Sequence, residues 1–304
     1  LPHKPPVLLL VQEPPHWMLD DLQSRFDLRT APGPGIRAAV TGGAEGIDAA
    51  TIDRCPDLAL IAVCAVGYDK VDVAHARARG IAVTNTPDVL TEDTADTAIA
   101  LMFAVYRRVA LYDRYVRDGR WEKEGPPPLA RKLTGRRIGI LGLGRIGSAI
   151  AKRCAPFAGE IAYHSRTPVP GAPYRYAADT VALAAGVDVL VVATPGGKGT
   201  AGLVDRAVLD ALGPDGTLIN IARGSVVDED ALVAALAEGR LGAAGLDVFA
   251  HEPHVPETLL AMENVVLLPH QGSATVETRK AMADLVIANV EAFFAGKPLL
   301  TPVE

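Results

Sequence analysis

Arg223, Glu252 and His270 each follow a short apolar run, in "INIARGSVVDEDAL", "AGLDVFAHEP" and "LLPHQGSATVETR". Together these residue types suit hydride transfer to a 2-oxo acid. The planar guanidinium of Arg223 would anchor a carboxylate and polarise the neighbouring carbonyl. His270 would protonate the forming alkoxide, because an imidazole gives up its proton near neutral pH. Glu252 would pair with His270, favouring the imidazolium and fixing the ring. Each alone has a plainer reading, as a surface ion-pair member, an exposed loop acid or a helix-capping histidine. As a set at strand ends, downstream of a cofactor motif, they read as catalytic machinery.

That motif is Gly142-Leu143-Gly144-Arg145-Ile146-Gly147, a G-x-G-x-x-G. It follows an apolar strand and opens an Ala-rich helix, the context that makes it a dinucleotide fingerprint. Gly142 allows the tight turn, Gly144 lets a pyrophosphate approach the backbone, and Gly147 lets helix and strand pack closely. Free N–H groups at the helix start would meet the diphosphate.

About twenty residues further on, an NAD site carries an acid for the ribose 2′-hydroxyl. This chain has His164-Ser165-Arg166-Thr167 there. A cation between two hydroxyl side chains suits a 2′-phosphate, so NADPH is expected as the preferred cofactor, with NADH possible. The plainer reading makes Arg166 a solvated loop residue, or one that stacks on adenine.

The elements that must position these residues alternate. Val7–Val11 reads as a strand, Trp17–Phe26 as a helix, "IRAAVT" and "LALIAVCAV" as strands with a helix at Ile47–Arg54 between them, Val71–Arg79 as a helix and "IAVTNT" as a strand. Thr91–Asp118 runs 28 residues without Gly or Pro and reads as one long helix. "GRWEKEGPPPLARKLTG" reads as an irregular arm. Six apolar runs follow, "RIGILGLG", "GEIAYHS", "VDVLVVATP", "GTLINIAR", "AAGLDVF" and "VVLLPH", with helical segments in most of the gaps; a last helix spans Ala274–Phe294. The expected fold class is α/β, as two doubly wound parallel-sheet domains with the active site in the cleft between them. The expected division is 1–90 plus 276–304 for substrate and 91–275 for the dinucleotide. Loops after strands line the ligand crevice in such sheets.

The chain has 304 residues, 49% of them hydrophobic and 22% charged, with a net charge of −6. That is ample for a core, and nothing invites nucleic acid or an anionic membrane. Three cysteines without metal-ligand spacing point to a reducing, cytoplasmic compartment. The only apolar run near the start is too short for a signal-peptide core or a membrane span. His75, His164, His251 and His254 lack metal spacing, so no metal site is expected.

These motifs resemble the D-isomer-specific 2-hydroxyacid dehydrogenase family over essentially the whole chain. "VGYDKVD", "RGIAVTNTPDVLTEDTADTAIAL", "GLGRIG", "ALGPDGTLINIARG", "LVAALAEGRLGAAGLDVF" and "PHQGSATVETRKAMADLV" carry the likeness. Within the family the chain is most similar to NADPH-using glyoxylate/hydroxypyruvate and hydroxyphenylpyruvate reductases. The resemblance implies an Arg–Glu–His catalytic set at Arg223, Glu252 and His270. It implies substrate carboxylate binding by the backbone N–H groups of Val66 and Gly67. It places Asp247 near the nicotinamide amide, with cofactor-lining segments at Thr194-Pro195, Ile221-Ala222 and Gly272. It also implies a homodimer, with Trp121 of the arm as a packing residue. NADPH-preferring members carry a triplet similar to Ser165-Arg166-Thr167.

Two departures stand out. "TPGGKGT" replaces a more usual Leu/Thr-rich stretch and is expected to make that loop more flexible, and Gln271 stands where many members have an apolar residue. The implied reaction is NADPH-dependent reduction of glyoxylate or hydroxypyruvate, with hydroxyphenylpyruvate or 2-ketogluconate as alternative substrates. A non-catalytic, nucleotide-sensing protein is the rival from another class.

Overall fold

The computed structural model describes residues 4–11 and 14–303. Contacts divide the chain into two compact units, residues 1–90 with 273–304, and residues 91–272.

Unit 1 holds β1 (Pro6–Leu9), α1 (His16–Arg25), β2 (Asp27–Arg29), β3 (Ala38–Gly42), α2 (Ala49–Asp53), β4 (Leu60–Cys64), α3 (Val73–Ala78) and β5 (Ala82–Thr84). Its strands form one parallel sheet in the order β2-β1-β3-β4-β5. β3 and β4 are almost wholly buried, which is why they read as continuous apolar runs. The three-residue edge strand β2 has no such run, and the apolar pattern does not mark it.

Unit 2 begins with α4 (Thr91–Tyr106), α5 (Val109–Arg117) and α6 (Arg120–Glu124), followed by β6 (Arg137–Leu141), α7 (Arg145–Cys154), β7 (Glu160–His164), β8 (Arg175–Tyr176), α8 (Thr180–Ala185), β9 (Val189–Val192), α9 (Arg206–Leu212), β10 (Thr217–Asn220), α10 (Glu229–Ala237), β11 (Ala243–Leu246), α11 (Glu257–Ala261) and β12 (Val265–Leu267). The final helix, α12 (Val276–Phe294), packs in unit 1 with α1 and β4. The sheet of unit 2 runs β12-β11-β10-β9-β6-β7-β8, all parallel. That is the dinucleotide-binding strand order with one strand added, and it reverses direction at the β6/β9 junction.

The long helix expected over Thr91–Asp118 is two helices. It breaks at Arg107-Arg108, where Arg108 takes a left-handed φ of 52°. The Tyr106 carbonyl, which a continuing helix would use internally, accepts the Arg131 N–H at 2.9 Å instead. The Tyr106 ring is buried, with the Arg131 and Arg136 guanidinium groups 5.8 and 5.9 Å from its centroid. A tertiary contact therefore ends a helix whose local sequence would have continued it. The arm is not wholly irregular either, since α6 occupies its first part.

Candidate active site

Register lines up the chemistry. Leu141, the last residue of β6, pairs with His164 of β7 on one side and Val192 of β9 on the other. Val192 pairs with Asn220, Asn220 with Leu246, and Leu246 with Leu267. The residues just beyond therefore share the carboxyl edge of the sheet, in the order Ser165, Gly142, Ala193, Ile221, Asp247 and Leu268. Adjacent strands lie about 4.8 Å apart, so this row is a continuous lining.

At the switch point Gly142 has φ +98°, and its N–H donates to the His164 carbonyl at 2.8 Å. A Cβ there would lie 2.9 Å from the Ala193 carbonyl oxygen. A Cβ on Gly147 would run into the carbonyl oxygen of Gly142. Gly144 differs: a Cβ there would meet nothing within 4 Å, and Gly144 caps α7 without a side-chain hydrogen bond. By contrast, α8, α9 and α10 are capped by Asp179, Asp205 and Asp228. The α7 N-terminus thus offers open space and uncapped N–H groups, which fits a nucleotide diphosphate. Leu143 is buried in the core, so its side chain packs there; Arg145 is exposed and Ile146 half-buried.

At the end of β7, the Ser165 hydroxyl donates to the Thr167 carbonyl at 2.7 Å, and Tyr176 Oη donates to the Ser165 carbonyl at 3.2 Å. Arg166 and Thr167 are exposed. Among the described residues Arg166 has neither a hydrogen bond nor an ion pair. No carboxylate side chain occupies His164–Thr167.

Beyond β9, Thr194 is half-buried and Pro195 exposed. The Thr200 hydroxyl donates to the Pro195 carbonyl at 2.6 Å, and the Thr200 and Ala201 N–H groups both donate to the Gly197 carbonyl at 3.1 Å. These bonds close the "TPGGKGT" loop into a turn.

The turn after β10 is shaped by Asn220, which is buried. Its Oδ1 accepts the Ala222 N–H at 3.1 Å and its Nδ2 donates to the Arg223 carbonyl at 3.0 Å. Arg223 Nη1 donates to the Ala222 carbonyl at 2.8 Å. Gly224 lies so close to Phe249 that a Cβ would collide with its backbone. This contact brings the Arg223 turn against the Phe249–Glu252 turn. The spacing of the apolar runs showed neither the Asn220 brace nor this contact.

Glu252 is the pivot. Its Oε2 lies 2.7 Å from His270 Nδ1, and its Oε1 accepts the Phe249 N–H at 2.9 Å. Burial pushes the Glu252 carboxyl up. The hydrogen bonds from His270 and Phe249, and the nearby charges of His270 and Arg223, outweigh it and hold the group below its usual range. An ionised carboxylate only accepts, so Nδ1 carries the shared proton and Nε2 is the ring nitrogen left for chemistry.

His270 sits in the left-handed region, φ 54°, which is uncommon for a side chain of its size. Asp247 keeps it there. The His270 N–H donates to the Asp247 carbonyl at 2.8 Å, and the Gln271 and Gly272 N–H groups donate to the Asp247 carboxylate at 2.7 and 2.8 Å. Asp247 is 1% exposed, and burial outweighs these bonds to push its carboxyl up. Both of its oxygens therefore brace the His270 turn.

In unit 1, Val66 and Gly67 follow β4 at its carboxyl end, half-buried. Asn85 Nδ2 donates to the Val66 carbonyl at 2.9 Å.

Residues 99–272 match the family model for the NAD-binding domain of D-isomer specific 2-hydroxyacid dehydrogenases. The chain belongs to this family. It is 56% identical over 299 residues to a glyoxylate/hydroxypyruvate reductase A of Arabidopsis thaliana, covering 94% of this chain and 95% of the relative. It is 54% identical over 277 residues to the hydroxyphenylpyruvate reductase of Plectranthus scutellarioides, covering 91% and 88%. Among solved structures, the NADPH-dependent glyoxylate/hydroxypyruvate reductase of Sinorhizobium meliloti, in complex with NADP and malonate, superposes with a TM-score of 0.94 at 45% identity, covering 99% of this chain and 97% of that one. Among the described residues of this 2-hydroxyacid dehydrogenase, no cluster of three or more His, Cys, Asp or Glu could hold a metal, and no helix is long and apolar enough to cross a membrane.

Proposed function

We propose that this 2-hydroxyacid dehydrogenase is an NADPH-dependent reductase of small 2-oxo acids, taking glyoxylate to glycolate and hydroxypyruvate to D-glycerate. The observation that carries the chemistry is the Glu252–His270 couple, beside the Arg223 turn on the same sheet edge as the glycine cradle. High identity to a named glyoxylate/hydroxypyruvate reductase supports the substrate class.

In this reading the uncapped N–H groups of α7 bind the diphosphate, and Arg166, with Ser165 and Thr167, binds the 2′-phosphate. Thr194, Pro195, Ile221, Ala222 and Gly272 line the cofactor. Bound there, the reduced nicotinamide supplies the hydride. Arg223 holds the substrate and polarises its carbonyl. Val66 and Gly67 anchor the carboxylate through backbone N–H groups. His270 Nε2 gives its proton to the carbonyl oxygen as negative charge develops there. Glu252 stabilises the imidazolium before transfer and fixes the ring through it. Unit 2 is accordingly the dinucleotide domain and unit 1 the substrate domain.

We also propose a homodimer. Val109, Val116, Trp121 and Leu129 are exposed on α5, α6 and the arm, Leu129 at 95%, and a subunit interface in this region would cover them. A reducing cytoplasm suits the cysteines, which are free thiols.

The test is His270→Ala. It should bind NADPH as the wild type does, by fluorescence titration, and lose turnover of glyoxylate and hydroxypyruvate by at least about a hundredfold. Full turnover by the variant would refute the catalytic reading. Hydroxyphenylpyruvate belongs in the same assay, given the second relative; a higher kcat/KM on it would move the substrate assignment to the aromatic acid.

A further inference from the structure

Ala65-Val66-Gly67 leaves β4 at its carboxyl end, and Asn85-Thr86 leaves the adjacent β5 at its own. Two hydrogen bonds cross between these segments. The Thr86 N–H donates to the Ala65 carbonyl at 2.9 Å, and Asn85 Nδ2 donates to the Val66 carbonyl at 2.9 Å. Both peptide bonds are trans. A trans peptide is planar, with its C=O and the next residue's N–H pointing in opposite directions. The first bond therefore sets the heading of the Val66 N–H, and the second sets the heading of the Gly67 N–H. The two N–H groups thus point away from the Thr86 N–H and the Asn85 amide, respectively. Neither donates to an acceptor among the described residues.

Asn85 is itself held. The Thr301 hydroxyl donates to the Asn85 carbonyl at 2.6 Å, and the Asn85 N–H donates to the Thr301 carbonyl at 3.3 Å. Asn289 of α12, fully buried, holds Thr301 in turn. Its Nδ2 donates to the Thr301 hydroxyl at 3.0 Å, and its Oδ1 accepts the Leu300 and Thr301 N–H groups at 2.9 and 3.3 Å. A chain of hydrogen bonds thus runs from the last helix, through the tail, to the peptide between Val66 and Gly67. The Thr86 hydroxyl is buried with no partner among the described residues, so that residue acts on the loop through its backbone. Among the described residues, Asn85 is the one side chain that hydrogen-bonds this loop segment, Ala65–Gly67.

We propose that Asn85 is a positioning residue that aims the Gly67 N–H at the carboxylate of the substrate, an inference that rests on reading Val66 and Gly67 as the carboxylate anchor. Accepting a hydrogen bond at the Val66 carbonyl also polarises that peptide, making its N–H a better donor. Asn85 touches no reacting atom, so its removal should weaken the carboxylate and leave the chemical step alone.

The test compares wild type, Asn85→Ala, Asn85→Asp and Asn85→Gln on the full chain. Oxalate is the probe, matching glyoxylate in size but not reducible; its Kd is measured by calorimetry with NADP bound. Asn85→Ala should weaken oxalate and raise the glyoxylate KM by about five- to tenfold, the range expected for one lost hydrogen bond. Its kcat should hold within about twofold, and NADPH affinity should not change. Asn85→Asp keeps the shape but loses the donor, and should do no better than Ala. Asn85→Gln keeps an amide donor and should recover part of the loss. Loss spread equally over kcat, KM and NADPH affinity, or unchanged oxalate binding in a folded Asn85→Ala, would overturn the proposal. Wild type that binds oxalate but turns over no 2-oxo acid would sink the reductase reading instead, and the oxalate comparison would still decide the role of Asn85. Wild type that does not bind oxalate at all would overturn both the anchor and the role built on it.

Discussion

His270 Nδ1 lies 2.7 Å from Glu252 Oε2, and the other Glu252 oxygen is tied to the Phe249 N–H at 2.9 Å. The histidine is thus oriented by a carboxylate that is anchored to the backbone beyond β11, while His270 follows β12.

The linkage has a definite sign. Glu252 titrates below its usual range in the folded chain, whereas an unfolded glutamate titrates near ~4.3. Its interactions contribute stability that is fully present above the unfolded value and is lost as pH falls through the lower folded value. Glu252→Gln cannot ionise. The stability that wild type has over this variant through the ionised carboxylate should therefore shrink as pH falls below about 4.3. Thermal melts across that window check this. A difference that does not change below about pH 4.3 would assign the effect to another group. At neutral pH the same variant should lose about tenfold or more in kcat/KM, because a neutral amide neither stabilises the imidazolium nor fixes the tautomer.

Gly144 and Gly147 should separate binding from folding. Gly144→Ala places its methyl in open space. Its Tm should match wild type within a degree or two, while NADPH affinity falls by at least about tenfold, since the methyl stands where the diphosphate must approach. Gly147→Ala drives a methyl into the Gly142 carbonyl and should lower stability by about 1–3 kcal/mol, as overpacking does. Chemical denaturation and NADPH titration of the two proteins check the contrast.

Asp247→Asn turns one of two acceptors into a donor facing a backbone N–H. A buried donor left without a partner costs about 1–3 kcal/mol. The variant should be destabilised by that amount in urea, and its kcat should fall, because the Gln271 and Gly272 bonds hold the His270 turn in its left-handed conformation. A variant as stable and as active as wild type would show that the turn holds without the carboxylate.

The parallel sheets were legible because buried parallel strands write unbroken apolar runs, as β3, β4 and β9 do. The glycine spacing and the order of Arg223, Glu252 and His270 put these residues in loops after strands, and register aligns the ends of those strands on one edge. What stayed hidden depends on partners distant in sequence. The break at Arg108 follows from a carbonyl taken by Arg131. The Arg223 turn depends on Asn220 and on the approach of Gly224 to Phe249. The edge strands β2 and β8, three and two residues long, are too short to carry a period. Asn85 lay unmarked within "TNTPD", because its role is set by the Val66 carbonyl across the sheet and by a tail more than two hundred residues away.

The most direct measurement is kcat/KM for glyoxylate and hydroxypyruvate with NADPH and with NADH, on wild type and on Arg166→Ala. The wild type should prefer NADPH by at least about tenfold, and the variant should lose most of that preference by weakening NADPH alone, as one charge-assisted phosphate contact predicts. Equal or better rates with NADH in wild type would contradict the phosphate pocket, and no turnover with either acid would contradict the reductase itself.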